Sequence, residues 1–225
     1  MIPWISKRQA RVFVPAILIL LMVTSGCISP KPLPYQFAAP NPVPSQAPEP
    51  ALAPAKNARP TKDTMDKVLE LPACIDAVMV KELEGSGVFK KVTLTTNGVA
   101  SAEYLLEPSL LELRWEVPDY GRKVGTTFAI SFLTGGIGGL GYAATGTDVF
   151  GHATLRAKLT DSRSKAVMLE REYHATAKDN RAKLNCDTPN TYREMAASAL
   201  KQIMEQLKDD LRKLVITNLR PAPAI

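Results

Sequence analysis

The most regular pattern lies near the C-terminus, where Tyr192, Met195, Ala196, Ala199, Leu200, Ile203, Met204, Leu207, Leu211 and Leu214 recur at spacings of three and four. That period puts them on one stripe of an α-helix, and Thr188-Pro189 supplies an N-cap and a first helical residue. The stripe is wide and contains small alanines, so packing on a sheet suits it better than a dimeric coiled coil. Upstream, period two takes over. Alternating runs between Gly151 and Ala177 flank a polar turn, Asp161 to Lys165, and predict a β-hairpin. Centred on Arg163, it pairs Leu159 with Val167, Ala157 with Leu169 and Ala153 with Tyr173 on the core side. On the wet side it pairs Arg156 with Glu170 and sets His152 opposite His174. Arg171 then faces Leu155, a charge on the apolar side that belongs at the sheet margin or must snorkel.

Val68, Leu69 and Leu71 form a short strand candidate, and Pro72 opens a helix through Leu83 with Ile75, Val78, Met79 and Leu83 on one side. Gly85-Ser86-Gly87 ends that helix. Val88, Val92 and Leu94 alternate with Phe89, Lys91 and Thr93 as a strand stopping at Asn97-Gly98. Leu111, Leu113, Trp115 and Val117, alternating with Glu112, Arg114 and Glu116, predict a half-buried strand. The order is strand, helix, strand, strand, hairpin, helix, without internal repeat. It predicts one α+β domain over 63–217, a single small sheet with two packed helices, followed by a tail at 218–225.

The N-terminus reads differently. Lys7, Arg8 and Arg11 precede an apolar run of twelve residues, Val12 to Val23, broken only by Pro15. A bilayer span takes about 20 apolar residues, so the run fits a cleaved signal peptide better than a permanent anchor. It ends in Val23-Thr24-Ser25-Gly26-Cys27, which resembles the bacterial lipobox, with Thr24 where leucine is usual. The resemblance implies removal of residues 1–26, acylation of Cys27 with palmitate among its chains, and a membrane-tethered periplasmic protein. Ile28 stands where an aspartate would retain a lipoprotein at the inner membrane, so the pattern implies the outer membrane. An ordinary signal peptide whose cysteine enters a disulfide is the alternative.

Composition narrows the choice of partners. Residues 1–26 carry three of the basic residues and no acidic ones, so the net charge of +6 falls to +3 in the mature chain. Basic and acidic residues interleave, which fits a solvated surface and gives no basis for nucleic acid as a partner. Ten prolines among the 35 residues from Ile28 to Lys62 predict a disordered tether over 27–62, with an extended reach of about 100 Å. With Cys27 acylated, Cys74 and Cys186 remain as a possible disulfide in an oxidising compartment. Two unpaired core cysteines are the other reading.

Across 66–215 the chain resembles small α/β domains of bacterial envelope lipoproteins, penicillin-binding-protein activators and curli-secretion-type proteins among them. Leu83, Gly85, Gly87, Val88 and Phe89, followed by alternating strands, carry the resemblance. Such a likeness implies a fold and leaves activity open.

Within 124–147 lie 24 residues without a charge, among them Gly135, Gly136, Ile137, Gly138, Gly139, Leu140 and Gly141. Three readings are open: a helical span with Gly135 and Gly139 at small-residue spacing, a pore hairpin of two arms of about ten residues, or an apolar loop or strand extension that touches a partner or lipid. The glycines weaken the first and poor alternation weakens the second, so the third is expected. No Gly-Lys-Ser or Gly-Lys-Thr follows, which excludes a P-loop.

Catalytic chemistry has little footing. The two histidines, His152 and His174, with Glu172 nearby, offer fewer ligands than zinc normally takes, so no metal and no cofactor beyond the covalent lipid is expected. Serines lack a nucleophile-elbow sequence, and Glu103, Glu107 and Glu112 read as solvated strand-edge charges. The expected function is that of a non-catalytic adaptor binding another envelope protein in assembly, transport or cell-wall synthesis. An oligomeric membrane-inserting or secretion component using 124–147 is the alternative.

Overall fold

A mixed sheet, with three of its strand pairings parallel and two antiparallel, holds the long C-terminal helix against one face. The computed structural model describes residues 33–44, 47–60, 69, 71, 73–95, 102–133, 145–182 and 188–218. The elements are β1 (Ala51–Leu52), β2 (Lys56–Asn57), α1 (Ala73–Gly85), β3 (Thr93–Leu94), β4 (Tyr104–Glu116), α2 (Tyr120–Leu133), β5 (Gly146–Asp161), β6 (Val167–Ala182) and α3 (Pro189–Asn218). The sheet order is β3-β1-β4-β5-β6, with β2 also pairing β4. The α+β class expected from sequence is the class observed.

The helix α3 forms as its stripe predicts. Thr188 caps it, its Oγ1 accepting from Thr191 N at 3.1 Å. Tyr192, Leu200, Ile203, Leu207 and Leu211 are buried. They meet Leu155, Ala157, Tyr173 and Ala177 from β5 and β6 in one core with Ile75, Met79 and Leu83 of α1. Gly151 on β5 permits the closest approach. A Cβ there would lie 2.7 Å from Met195 Cβ and 2.8 Å from its carbonyl oxygen, so the helix backbone rests where a side chain would stand.

The hairpin exists, but its register is displaced by two residues. Leu159 pairs with Leu169, Ala157 with Arg171, Arg156 with Glu172 and Ala153 with Ala175. The turn is the cause. Asp161 N donates to Ala166 O at 2.9 Å, and Asp161 Oδ1 accepts from Arg163 N and Ser164 N at 2.7 and 3.1 Å. Lys165 takes a left-handed φ of 60°, and an irregularity follows between Leu159 and Thr160. Arg171 does face the core side, at the sheet margin, and its guanidinium reaches Asp210 of α3 at 2.7 Å.

The expectation of a disordered tether through residue 62 is corrected by the segments 33–44 and 47–60, which lie on the domain. Ala51, Leu52 and Ala55 are buried. β1 runs parallel to both β3 and β4, and β2 runs parallel to β4. Prolines fit because the pairing with β4 is interrupted here. Ala53 N donates to Leu106 O at 2.9 Å, and the next donor along a parallel ladder would be the amide of residue 108. Pro108 has none, and the pairing resumes shifted by one residue, from Leu52 with Leu106 to Asn57 with Leu110. At the shift the Ala55 amide turns to α1 and donates to the buried Asp76 carboxylate at 2.7 Å.

That contact has a pH signature. Burial pushes the Asp76 carboxyl above its ordinary range, against the pull of the Ala55 amide. A raised folded value means that the folded chain holds the proton more tightly, so this group's contribution to stability falls as pH rises through that value. Asp76→Asn keeps an acceptor without the charge. Its melting temperature is expected to gain on the parent's between about pH 3 and pH 7. A gap that stays constant or narrows in thermal melts at the two values would contradict this.

Upstream, residues 33–44 form a strap along α1 and α3. Leu33 and Tyr35 pack on the core, Asn41 N donates to Gly85 O at 2.9 Å, and Lys81 lies over the Phe37 ring. Gly87, at φ 74°, leaves room for it, since a Cβ would meet Pro42 O at 2.8 Å. Beneath the strap Lys208 Nζ donates to Glu82 at 2.6 Å, with the side chains 3% and 2% exposed. Burial alone would lower the ammonium, and the hydrogen bonds to Glu205 and Glu82 more than offset it and hold its pKa raised.

Other expectations change as well. Leu69 and Leu71 lie in turns instead of a strand, and the strand expected from Val88 shrinks to Thr93–Leu94, with Val88, Phe89 and Val92 buried outside it. The first arm of the uncharged segment is helical: Pro118-Asp119 turns the chain, Asp119 at φ 56°, and α2 begins at Tyr120. Residues 124–133 are therefore neither the loop or strand extension expected nor an arm of a pore hairpin. The tail beyond 218 lies outside the described residues.

Candidate functional site

The face of the sheet away from α3 carries the polar positions of β4, β5 and β6. Because the hairpin is shifted by two, His152 stands opposite Thr176 and His174 opposite Thr154, so the histidines are diagonal neighbours instead of facing one another. A shift of two preserves the face and changes every partner. His152 Nδ1 lies 3.1 Å from Thr176 Oγ1. A second chain of contacts runs across three strands: Arg114 Nε donates to Glu112 Oε1 at 2.7 Å, and Thr154 Oγ1 donates to Glu112 Oε2 at 3.1 Å. Thr154 has a single hydroxyl hydrogen, so its 3.0 Å contact with His174 Nδ1 makes the imidazole the donor. His174 Nε2 then faces outward, 4.0 Å from Glu172 Oε2. Arg156 Nε donates to Glu172 at 2.9 Å and closes the row.

The local causes are plain in the strands. Pairing is antiparallel, so alternate residues share this face, and an irregularity between Leu110 and Glu112 lets the alternation restart with Leu113 inward and Glu112 outward. Arg59, which follows β2, is buried and reaches Leu113 O at 3.5 Å. Together Arg59, Pro60, Leu111, Glu112, Arg114, Thr154 and His174 border an open depression of about 460 Å³. The hydrogen bond from Arg114, and secondarily that from Thr154, holds the Glu112 carboxyl below its ordinary range. Glu112 is thus an anionic acceptor at neutral pH and a poor proton donor.

Among the described residues no three or more His, Cys, Asp and Glu side chains are grouped to hold a metal ion. Thr154, Arg114 and Arg59 were not singled out by sequence. The alternation His152, Thr154, Arg156, Lys158 carried the signal for Thr154, whereas Arg59 lay in what read as tether. Cys74 is half-buried in α1. Cys27, Cys186 and Gly135 to Gly141 lie outside the described residues. Leu133, which ends α2, is 81% exposed. No described helix is long and apolar enough to cross a membrane.

Neither a protein-family model nor a curated protein matches the sequence. Solved structures resemble it in fold. Protein XCC0632 from Xanthomonas campestris, described under the family model DUF330, aligns over 83% of this chain and 96% of its own, at 16% identity and a TM-score of 0.51. The two share a fold. A putative neuraminyllactose-binding hemagglutinin homolog from Helicobacter pylori aligns over 81% and 95% at 13% identity and a TM-score of 0.47. Lipoprotein GNA1162 from Neisseria meningitidis aligns over 70% and 99% at 10% identity and a TM-score of 0.36.

Proposed function

We propose that the chain is a bacterial lipoprotein, acylated at Cys27 and held at the periplasmic face of the outer membrane, whose α+β domain is a non-catalytic adaptor for another envelope protein. The observation that carries the adaptor reading is the uncovered sheet face, where cross-strand pairs fix the side chains around an open depression. Crosslinking in intact cells from Lys158 and Arg114 tests it. One specific envelope protein captured from this face is expected, and capture unchanged by Arg114→Glu with Arg156→Glu would count against it. An oligomeric membrane-inserting component remains the second reading, supported by the exposed end of α2. Ring-shaped particles and protection of 124–147 by detergent would favour it.

The sorting part of the reading predicts a relocation. Ile28→Asp is expected to move most of the protein from outer- to inner-membrane fractions on a density gradient, with the domain unchanged. Unaltered fractionation would remove Ile28 from the argument. In the same compartment Cys74 and Cys186 are expected to pair, so the unfolded, unreduced chain should show no free thiol. Two titratable thiols would show that they do not pair.

A further inference from the structure

We propose that one end of the domain, made by α2, the close of β6 and the first turns of α3, rests on the phospholipid surface that holds the Cys27 lipid. The inference rests on the acylation proposed above and adds which face meets the bilayer. Leu33 stands only six positions after Cys27. A chain spans at most about 3.3–3.6 Å per residue, so the anchor reaches no more than about 20 Å before it meets the domain. Leu33 packs on the core, and Pro34 and Gln36 lie beside Lys178, Arg181, Ser198 and Lys201. The membrane is therefore near that end, and the long tether that composition suggested is taken up by strap and strand.

The topology brings α2 to the same end. β4 finishes at Glu116 opposite Phe150, β6 finishes at Ala182 opposite Gly146, and Met195 of α3 lies against Gly151. The chain leaves β4 there, forms α2 and returns to β5 there, exposing Leu133 and Ala129. Lys178, Arg181 and Lys201 stand near Asp148, Asp179 and Glu194. Those six charges balance, and the exposed apolar end of α2 is the part that distinguishes a lipid surface from water. The β5–β6 turn is at the opposite end. From Val167 to Arg181 the strand covers about 45 Å, beyond the reach of the anchor.

A benzophenone amino acid placed singly at Leu133, Ser198 or Ser164, all exposed, in the full acylated chain tests this in vesicles of phosphatidylethanolamine and phosphatidylglycerol. Phospholipid adducts are expected at Leu133 and Ser198 and none at Ser164, with circular dichroism confirming that each variant is folded. Absence of adducts at Leu133 and Ser198, or equal adducts at all three, would overturn the assignment. So would crosslinks from Leu133 to a second copy in place of lipid. An N-terminal peptide without acyl mass would instead overturn the anchor reading beneath it, and mass spectrometry of the same samples separates the two failures.

Discussion

Replacing Lys208 with methionine is expected to destabilise the domain by about 3–5 kcal/mol, because Glu82 is left buried without its ammonium partner. Lys208 and Glu82 are almost wholly excluded from water, at 2.6 Å from one another, under the strap residues Tyr35 and Ala38. The loss measures the broken pair and not the worth of the intact one, since desolvating two charges offsets most of their attraction. The double replacement Glu82→Leu with Lys208→Met should therefore recover most of the stability. It leaves unmade the long 3.4 Å contact from Ala38 N, the Glu205 contact and the approach of the Tyr35 hydroxyl to Glu82. Urea unfolding of the parent, the single and the double variants checks both halves. A single-variant loss below about 1 kcal/mol would mean that water reaches Glu82.

The second large effect is expected at Gly151. Gly151→Val should cost about 1–3 kcal/mol or more, because the added atoms meet Met195 Cβ at 2.7 Å and its backbone O and C at 2.8 and 2.9 Å. Two of the three obstacles are main chain and the third, Met195 Cβ, is kept in alanine, so Met195→Ala should not rescue the variant. Relief requires α3 to move off the sheet along the line of Tyr192, Met195 and Ala199. Recovery of the parent's melting temperature in Gly151→Val with Met195→Ala would show that the conflict lies with the Met195 side chain beyond Cβ and not with the helix backbone.

How far the chain could be read depended on what each pattern encodes. α3 and α1 were legible because large apolar residues at helical spacing become buried contacts, and Thr188 caps α3 as expected. The hairpin was legible in existence and in facing. Its register was not, since a displacement of two residues leaves every inward residue inward, and only the Asp161 turn with Lys165 left-handed decides the partners. Residues 33–60 were hidden by their prolines and by alanines, whose burial leaves little hydrophobic signal. α2 was hidden by glycines and β-branched residues of low helix propensity. Of the open face, the histidines and Glu172 were anticipated, whereas the Glu112–Thr154–His174 chain depends on pairings that only the register supplies.

Pro108 has a consequence beyond the gap in hydrogen bonding at its own position. β1 and β2 are two residues long each, and strands so short carry almost no alignment information of their own. The gap at Pro108 and the contact from Ala55 to Asp76 supply it together. A slip of the N-terminal segment by one place would turn the Ala55 amide away from Asp76 and leave the buried carboxyl without its donor. The interruption acts as a keyway: it frees one amide for α1, and that amide admits the N-terminal strands in a single phase.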